Sequence, residues 1–299
     1  MKILITGSEG FLGKNIANFL ASQGYEIIKT DLNSIENQGN ISNKNFVFNT
    51  LSKIDFDNII HLGAIANIKE TCDNPFLCYD VNCNGTLNLL ELAKLKKITR
   101  FIYMSSANVY GNPSDLPVTE THPLKPRLPY DYSKVISENL VTSYNNNFNL
   151  STTIIRSWKI FGEYEKFSAA IPKFIKLCLN NEPIPLYNSG IEVTDPYYVE
   201  NYCRAIELCL KKEEAIGECF NLSGENKMSV KDIASAIKKI TNSDSELQIL
   251  PPRSQFEIKP MKSYSSISKI KNLLNYELSV SFDEGIKSTV DWIKNLSDM

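Results

Sequence analysis

The chain opens on a short apolar run, Lys2-Ile3-Leu4-Ile5-Thr6, followed at once by Gly7-Ser8-Glu9-Gly10-Phe11-Leu12-Gly13 and an apolar-periodic stretch to Leu20. No other feature restricts the fold as sharply. The pattern predicts a strand, a tight turn and a helix. In such a unit the first glycine permits the turn, the second lets a pyrophosphate approach the backbone, and the third lets helix and strand pack closely. The unpaired N–H groups and dipole of the helix N-terminus favour an anion there. A glycine pattern alone also suits an ordinary turn, but its place between a first strand and a helix favours the phosphate reading. Gly7, Gly10, Phe11, Leu12 and Gly13 are therefore candidate cofactor-binding residues.

Gly24 closes the helix, and Tyr25 to Thr30 reads as a second strand finishing at Asp31. An acid about 20 residues beyond the glycine loop accepts hydrogen bonds from the adenosine ribose hydroxyls. It repels a 2′-phosphate, so NAD is expected rather than NADP. Residues 45–49, 58–62, 100–104 and 151–155 read as four further strands, with 33–44 as loop. Helical patterns run from Pro75 through Leu92 and from Pro129 to Tyr144. Such alternation predicts an α/β fold with a doubly wound parallel sheet, a Rossmann domain over residues 1–157. From 158 to 299 the pattern loosens, with helices expected over 169–179, 230–240 and 282–293. This half reads as a smaller α/β substrate-binding domain, sending segments around 190–225 back to the Rossmann domain.

Several function classes are excluded on simple grounds. The formal net charge is −2, so neither nucleic acid nor an anionic membrane is an expected partner. No apolar run approaches the ~20 residues of a bilayer span. The first apolar run meets Gly7 too early for a signal-peptide core. The seven cysteines form no C-x-x-C pair, and there are two histidines, His61 and His122. No metal site is expected, and reduced thiols point to a cytoplasmic protein.

The chemistry is concentrated in Tyr130-Asp131-Tyr132-Ser133-Lys134. On a helix, positions i and i+4 share a face, so Tyr130 and Lys134 are neighbours. An ammonium beside a phenol favours the phenolate and lowers its pKa, as would an oxidised nicotinamide. The pair is thus a candidate general base. Ser105 and Ser106 directly follow the strand at 100–104, where a hydroxyl can hydrogen-bond the same substrate oxygen. His61 ends a strand and reads as a hydrogen-bonded residue near the cofactor, not as a catalytic base.

These segments resemble the extended short-chain dehydrogenase/reductase family, the NAD-dependent sugar-nucleotide epimerases and dehydratases. The likeness runs through Gly7-x-x-Gly10-x-x-Gly13, His61-Leu62-Gly63-Ala64, Asn82-x-x-Gly85-Thr86-x-Asn88-Leu89-Leu90, Ser105-Ser106-x-x-Val109-Tyr110-Gly111 and Tyr130-x-x-x-Lys134. It implies Ser106, Tyr130 and Lys134 as catalytic residues. It adds Leu62, Ala64, Asn82, Ser105, Tyr130 and Lys134 to the NAD-binding set, and a nucleoside-diphosphate sugar as substrate. It also implies a homodimer paired through helices at about 75–96 and 129–147.

The departures from the family pattern are informative. Dehydratases carry Asp-Glu where this chain has Ala107 and Asn108, neither of which can protonate a leaving hydroxyl. Asn108 can still hydrogen-bond a substrate. Lys159 replaces an asparagine, Thr194 an arginine, and Asn201 an aspartate. Lys159 is expected to meet the substrate phosphates in place of the missing arginine; Arg253 and Lys262 are the competing candidates. The resemblance thus implies a C4 epimerase acting through a keto intermediate. A reductase or dehydrogenase of a keto-deoxy sugar nucleotide stays open as the alternative, and a silent NAD-binding regulator behind it.

Overall fold

The computed structural model describes residues 1–252 and 262–297. The first half contains β1 (Lys2–Thr6), α1 (Phe11–Ser22), β2 (Glu26–Thr30), α2 (Lys44–Asn49), β3 (Asn58–His61), α3 (Ile68–Asp73), α4 (Pro75–Tyr79), α5 (Gly85–Lys96), β4 (Arg100–Met104), α6 (Pro129–Phe148) and β5 (Thr152–Ser157). The second half contains β6 (Ile160–Phe161), α7 (Ala170–Leu179), β7 (Ile184–Tyr187), β8 (Val193–Thr194), β9 (Tyr197–Tyr198), α8 (Val199–Lys211), β10 (Cys219–Leu222), β11 (Met228–Ser229), α9 (Val230–Ile240), β12 (Leu247–Leu250), α10 (Ser268–Leu274) and α11 (Phe282–Ser297).

Six strands form one parallel sheet in the order β2-β1-β3-β4-β5-β10. Its central strands are covered on both faces, which explains their near-continuous apolar character. Successive side chains of β1 serve opposite cores. Ile3 and Ile5 pack in a core shared with α1, α7, α8, α9 and α11, whereas Leu4 joins Leu89, Leu90, Phe101 and Val141 under α5 and α6. The first core runs without a break from the sheet into the second half of the chain, through Tyr202, Phe220, Ile233 and Ile286.

Two expectations are corrected. Residues 45–49, a strand in the sequence reading, carry the short apolar run Phe46-Val47-Phe48. They form α2 instead. The Asn43 side chain caps that helix, accepting from the N–H groups of Asn45 and Phe46. Val47 is then buried against the sheet, so a short capped helix satisfies both apolar pattern and backbone. The sixth strand of the sheet is β10, which pairs with β5. The long helical pattern after Pro75 is also not one regular helix. A π-helical turn over Asp80–Asn84 separates α4 from α5, a feature that often marks functional sites. No described helix is long and apolar enough to cross a membrane.

Candidate active site

The carboxyl edge of the sheet carries a cavity of about 730 Å³, within the usual range for a ligand site. The turn after β1 forms one end. Gly7 has φ +69°, and a Cβ there would lie 2.8 Å from the Gly63 nitrogen. A Cβ on Gly13 would lie 2.2 Å from the Gly7 carbonyl oxygen, so only glycine lets α1 start this close to the loop. Gly10, Phe11 and Leu12 complete this wall, with Asp31 beside it. The Asp31 carboxylate accepts from the Glu9 N–H at 3.3 Å and the Asn33 N–H at 3.1 Å. Among the described residues no ion pair involves it.

Leu62 and Ala64, after β3, line the middle of the cavity, and Ser105, Ser106, Tyr130, Lys134 and Lys159 line its other end. Asn82 is expected at the cofactor but stands one layer back. Its carbonyl accepts from the Ile65 N–H at 2.8 Å, while its amide donates to the Ile65 carbonyl and to Ser133 Oγ. It therefore positions the cavity-lining loop after β3 and ties it to α6. Asn108 is exposed and does not line the cavity; its N–H donates to Ser106 Oγ at 3.2 Å. Asn201 is buried away from the cavity, where its carbonyl caps the turn at Ser279 and Val280. Arg253 lies outside the described residues. His61 bridges Thr6 and Thr86 through its two ring nitrogens, at 2.8 and 3.0 Å. Burial pushes it down to about 3, so it is neutral.

Tyr130 opens α6, behind Pro129 at the first helical position. Lys134 follows one turn later with its Nζ 5.8 Å from the Tyr130 ring centroid. The expected lowering of the phenol pKa is not what the protein alone achieves. Burial pushes Tyr130 up to about 12, and only the Ser106 hydroxyl pulls it down. Lys134 is itself desolvated, down to about 8, and donates to the Met104 carbonyl at 2.7 Å. Desolvation therefore outweighs the Ser106 hydroxyl, and a phenolate here needs further positive charge in the cavity.

Two charged groups at the site escaped sequence reading. Glu138 lies one turn beyond Lys134 on the same face of α6. It accepts from Ser105 Oγ at 2.5 Å and from Arg156 Nε and Nη2 at 2.9 and 2.6 Å. Arg156 also donates to Tyr110 Oη, which donates to Asn221 on β10. The i+4 spacing from Lys134 was the available signal for Glu138. The second group is Glu165, whose carboxylate lies 3.0 Å from Lys159 Nζ.

A family model described as GDP-mannose 4,6 dehydratase matches residues 4–289. The chain belongs to this family. As a GDP-mannose 4,6-dehydratase family member it is an extended short-chain dehydrogenase/reductase, and solved structures agree. The UDP-glucose 4-epimerase of Thermotoga maritima, determined with UDP-glucose, superposes with a TM-score of 0.92 at 26% identity, covering 99% of this chain and 100% of that one. A mutant UDP-glucuronic acid 4-epimerase of Bacillus cereus, in complex with UDP-4-deoxy-4-fluoro-glucuronic acid and NAD, gives 0.85 at 28%, covering 99% and 100%. The chain is also 28% identical to the dTDP-glucose 4,6-dehydratase of Xanthomonas campestris, over 97% of this chain and 92% of that protein. The family thus spans two reactions. The cavity fits the dinucleotide shared by such enzymes: a glycine cradle with no room for a Cβ at Gly7 or Gly13, a helix N-terminus for the pyrophosphate, and the Asp31 carboxylate, in no ion pair among the described residues, for the ribose.

Proposed function

We propose that this protein is an NAD-dependent sugar-nucleotide epimerase that inverts C4 through a keto intermediate. One observation carries the reading. Ser106, Tyr130 and Lys134 line the same cavity as the glycine turn and Asp31, while the two positions after Ser106 hold Ala107 and Asn108. A hydroxyl-oxidising pair is present and the acid needed to expel water is missing. NAD binds with its adenosine ribose at Asp31 and its pyrophosphate at Gly10 and the start of α1. Bound NAD supplies the hydride acceptor and donor, and its cationic ring adds the positive charge that favours a phenolate. Ser106 Oγ orients the C4 hydroxyl, and Tyr130 Oη takes its proton and later returns it. Lys134, held on the Met104 carbonyl, keeps an ammonium beside the phenol. Residues 158–299 supply most of the sugar-nucleotide side of the cleft.

The homodimer reading is supported by apolar side chains left exposed on the expected pairing surface. Phe76 on α4 is 85% exposed, Leu95 on α5 66%, and Tyr132 and Phe148 on α6 48% and 49%. Sedimentation should give a dimer mass, and Tyr132→Glu with Phe148→Glu should give a monomer. The cytoplasmic assignment rests on seven cysteines, all free.

The function is tested by incubating the NAD-loaded protein with UDP-, GDP-, CDP- and dTDP-hexoses and reading C4 configuration by NMR. Inversion without free NADH supports the epimerase. Free NADH in step with product marks a one-way dehydrogenase, and loss of water marks a dehydratase.

A further inference from the structure

Past Tyr130, the cavity contains an ion pair that the proposed proton transfers do not use. Glu165 is 8% exposed, and its Oε2 has no hydrogen-bond partner among the described residues. Its other oxygen holds Lys159 Nζ, on a side chain that is 40% exposed. Lys159 follows β5, four strand steps from β2 and Asp31, or roughly 19 Å at ~4.8 Å per step. The pair thus belongs to the sugar end of the cavity. The loop carrying Glu165 is fixed in place. Asn15 on α1 donates to the Glu163 carbonyl at 2.8 Å, and Tyr198 Oη donates to the Glu163 carboxylate at 2.8 Å.

Lys159, expected to meet a phosphate, forms an ion pair with Glu165. Among the described residues the cavity is lined by three carboxylates, Asp31, Glu70 and Glu165, and two ammonium groups, Lys134 and Lys159. Lys134 is engaged beside Tyr130 on the Met104 carbonyl. No uncommitted lining cation is left among the described residues to receive a carboxylate on the sugar. A buried carboxylate oxygen without a donor is costly, and a hydroxyl, donor and acceptor at once, would satisfy it.

We propose that the Lys159–Glu165 pair is a specificity determinant that admits a neutral hexose nucleotide and disfavours a hexuronate. Sugar hydroxyls donate to Glu165 Oε2 and accept from Lys159 Nζ. A uronate carboxylate can only accept, so it competes with Glu165 for Lys159 and faces its charge. The proposal rests on the sugar-nucleotide epimerase reading above.

The test is calorimetric titration of the NAD-loaded protein with two matched pairs, UDP-glucose with UDP-glucuronate and GDP-mannose with GDP-mannuronate. In the pair that binds, the neutral member should bind roughly tenfold or more tightly, the scale of one charge-assisted contact. Glu165→Gln keeps the shape and frees Lys159, and should shift that ratio toward the uronate by a similar factor. Lys159→Gln combined with Glu165→Gln leaves no unpaired buried charge. It should weaken the neutral preference without creating tight uronate binding. Equal binding by the wild type, a uronate preference, or an unchanged ratio in Glu165→Gln overturns the proposal. Failure of these pairs and of the CDP- and dTDP-hexoses to bind overturns the sugar-nucleotide reading and this proposal with it. The predicted ratio without C4 inversion would overturn the epimerase reading alone.

Discussion

Replacing Glu138 by alanine should be among the most damaging single changes near the site. Glu138 is 4% exposed and Arg156 is 7% exposed. Three hydrogen bonds converge on the carboxylate, one from Ser105 Oγ and two from the guanidinium. Removing it leaves a buried guanidinium without its counter-ion. Breaking one side of a buried pair typically costs about 3–5 kcal/mol. At roughly 2 °C per kcal/mol for a chain of this size, Tm should fall by about 6–10 °C. The net worth of the intact pair is a separate and smaller quantity, because both charges were desolvated to form it. Glu138→Leu with Arg156→Met should therefore recover most of the loss, since Tyr110 Oη keeps its bond to Asn221. Urea unfolding of both variants measures the two costs. A Glu138→Ala protein within 1 kcal/mol of wild type, or a double variant as unstable as the single, would refute this reasoning.

Three further outcomes are expected. Tyr130→Phe should fold and bind NAD normally but lose roughly 10²–10⁴-fold in turnover; near-normal turnover removes Tyr130 from the mechanism. Asp31→Ala should narrow a clear NAD-over-NADP preference in binding titrations, and a wild type that binds NADP equally well refutes ribose reading by Asp31. Lys134 titrates near 8 in the folded protein against its ordinary 10.5. Between those values the unfolded chain holds a proton that the folded protein has released, so stability rises with pH across that window. The buried charge costs about 3 kcal/mol below it. Lys134→Met should abolish this gain in the ligand-free protein, and a pH-independent difference between the two proteins contradicts it.

What was legible in the sequence was local. The glycine turn, the acid at the end of β2 and the one-turn spacing of Tyr130 and Lys134 are short-range patterns, and each occurs in the structure where the spacing requires. The missed features depend on caps, loop paths and burial that only the assembled fold decides. Phe46-Val47-Phe48 reads equally as a strand, and the Asn43 cap decides for a helix. Arg156 meets Glu138 across 18 positions because β5 and α6 lie together. The phenol pKa of the chain without cofactor has the same origin: Lys134 is visible as a neighbour, whereas the burial of Tyr130 is a property of the assembled fold. The expected diphosphate role of Lys159 omitted Glu165, six residues on, because nothing local says that the loop folds back.

The most direct test of the central claim uses a sugar nucleotide carrying deuterium at C4, with product analysis by NMR and mass spectrometry. Oxidation and reduction at one carbon on a retained cofactor predict a C4-inverted product with the deuterium still at C4 and none in solvent or free NADH. Deuterium at C6 of a dehydrated product, or on released cofactor, would contradict the account.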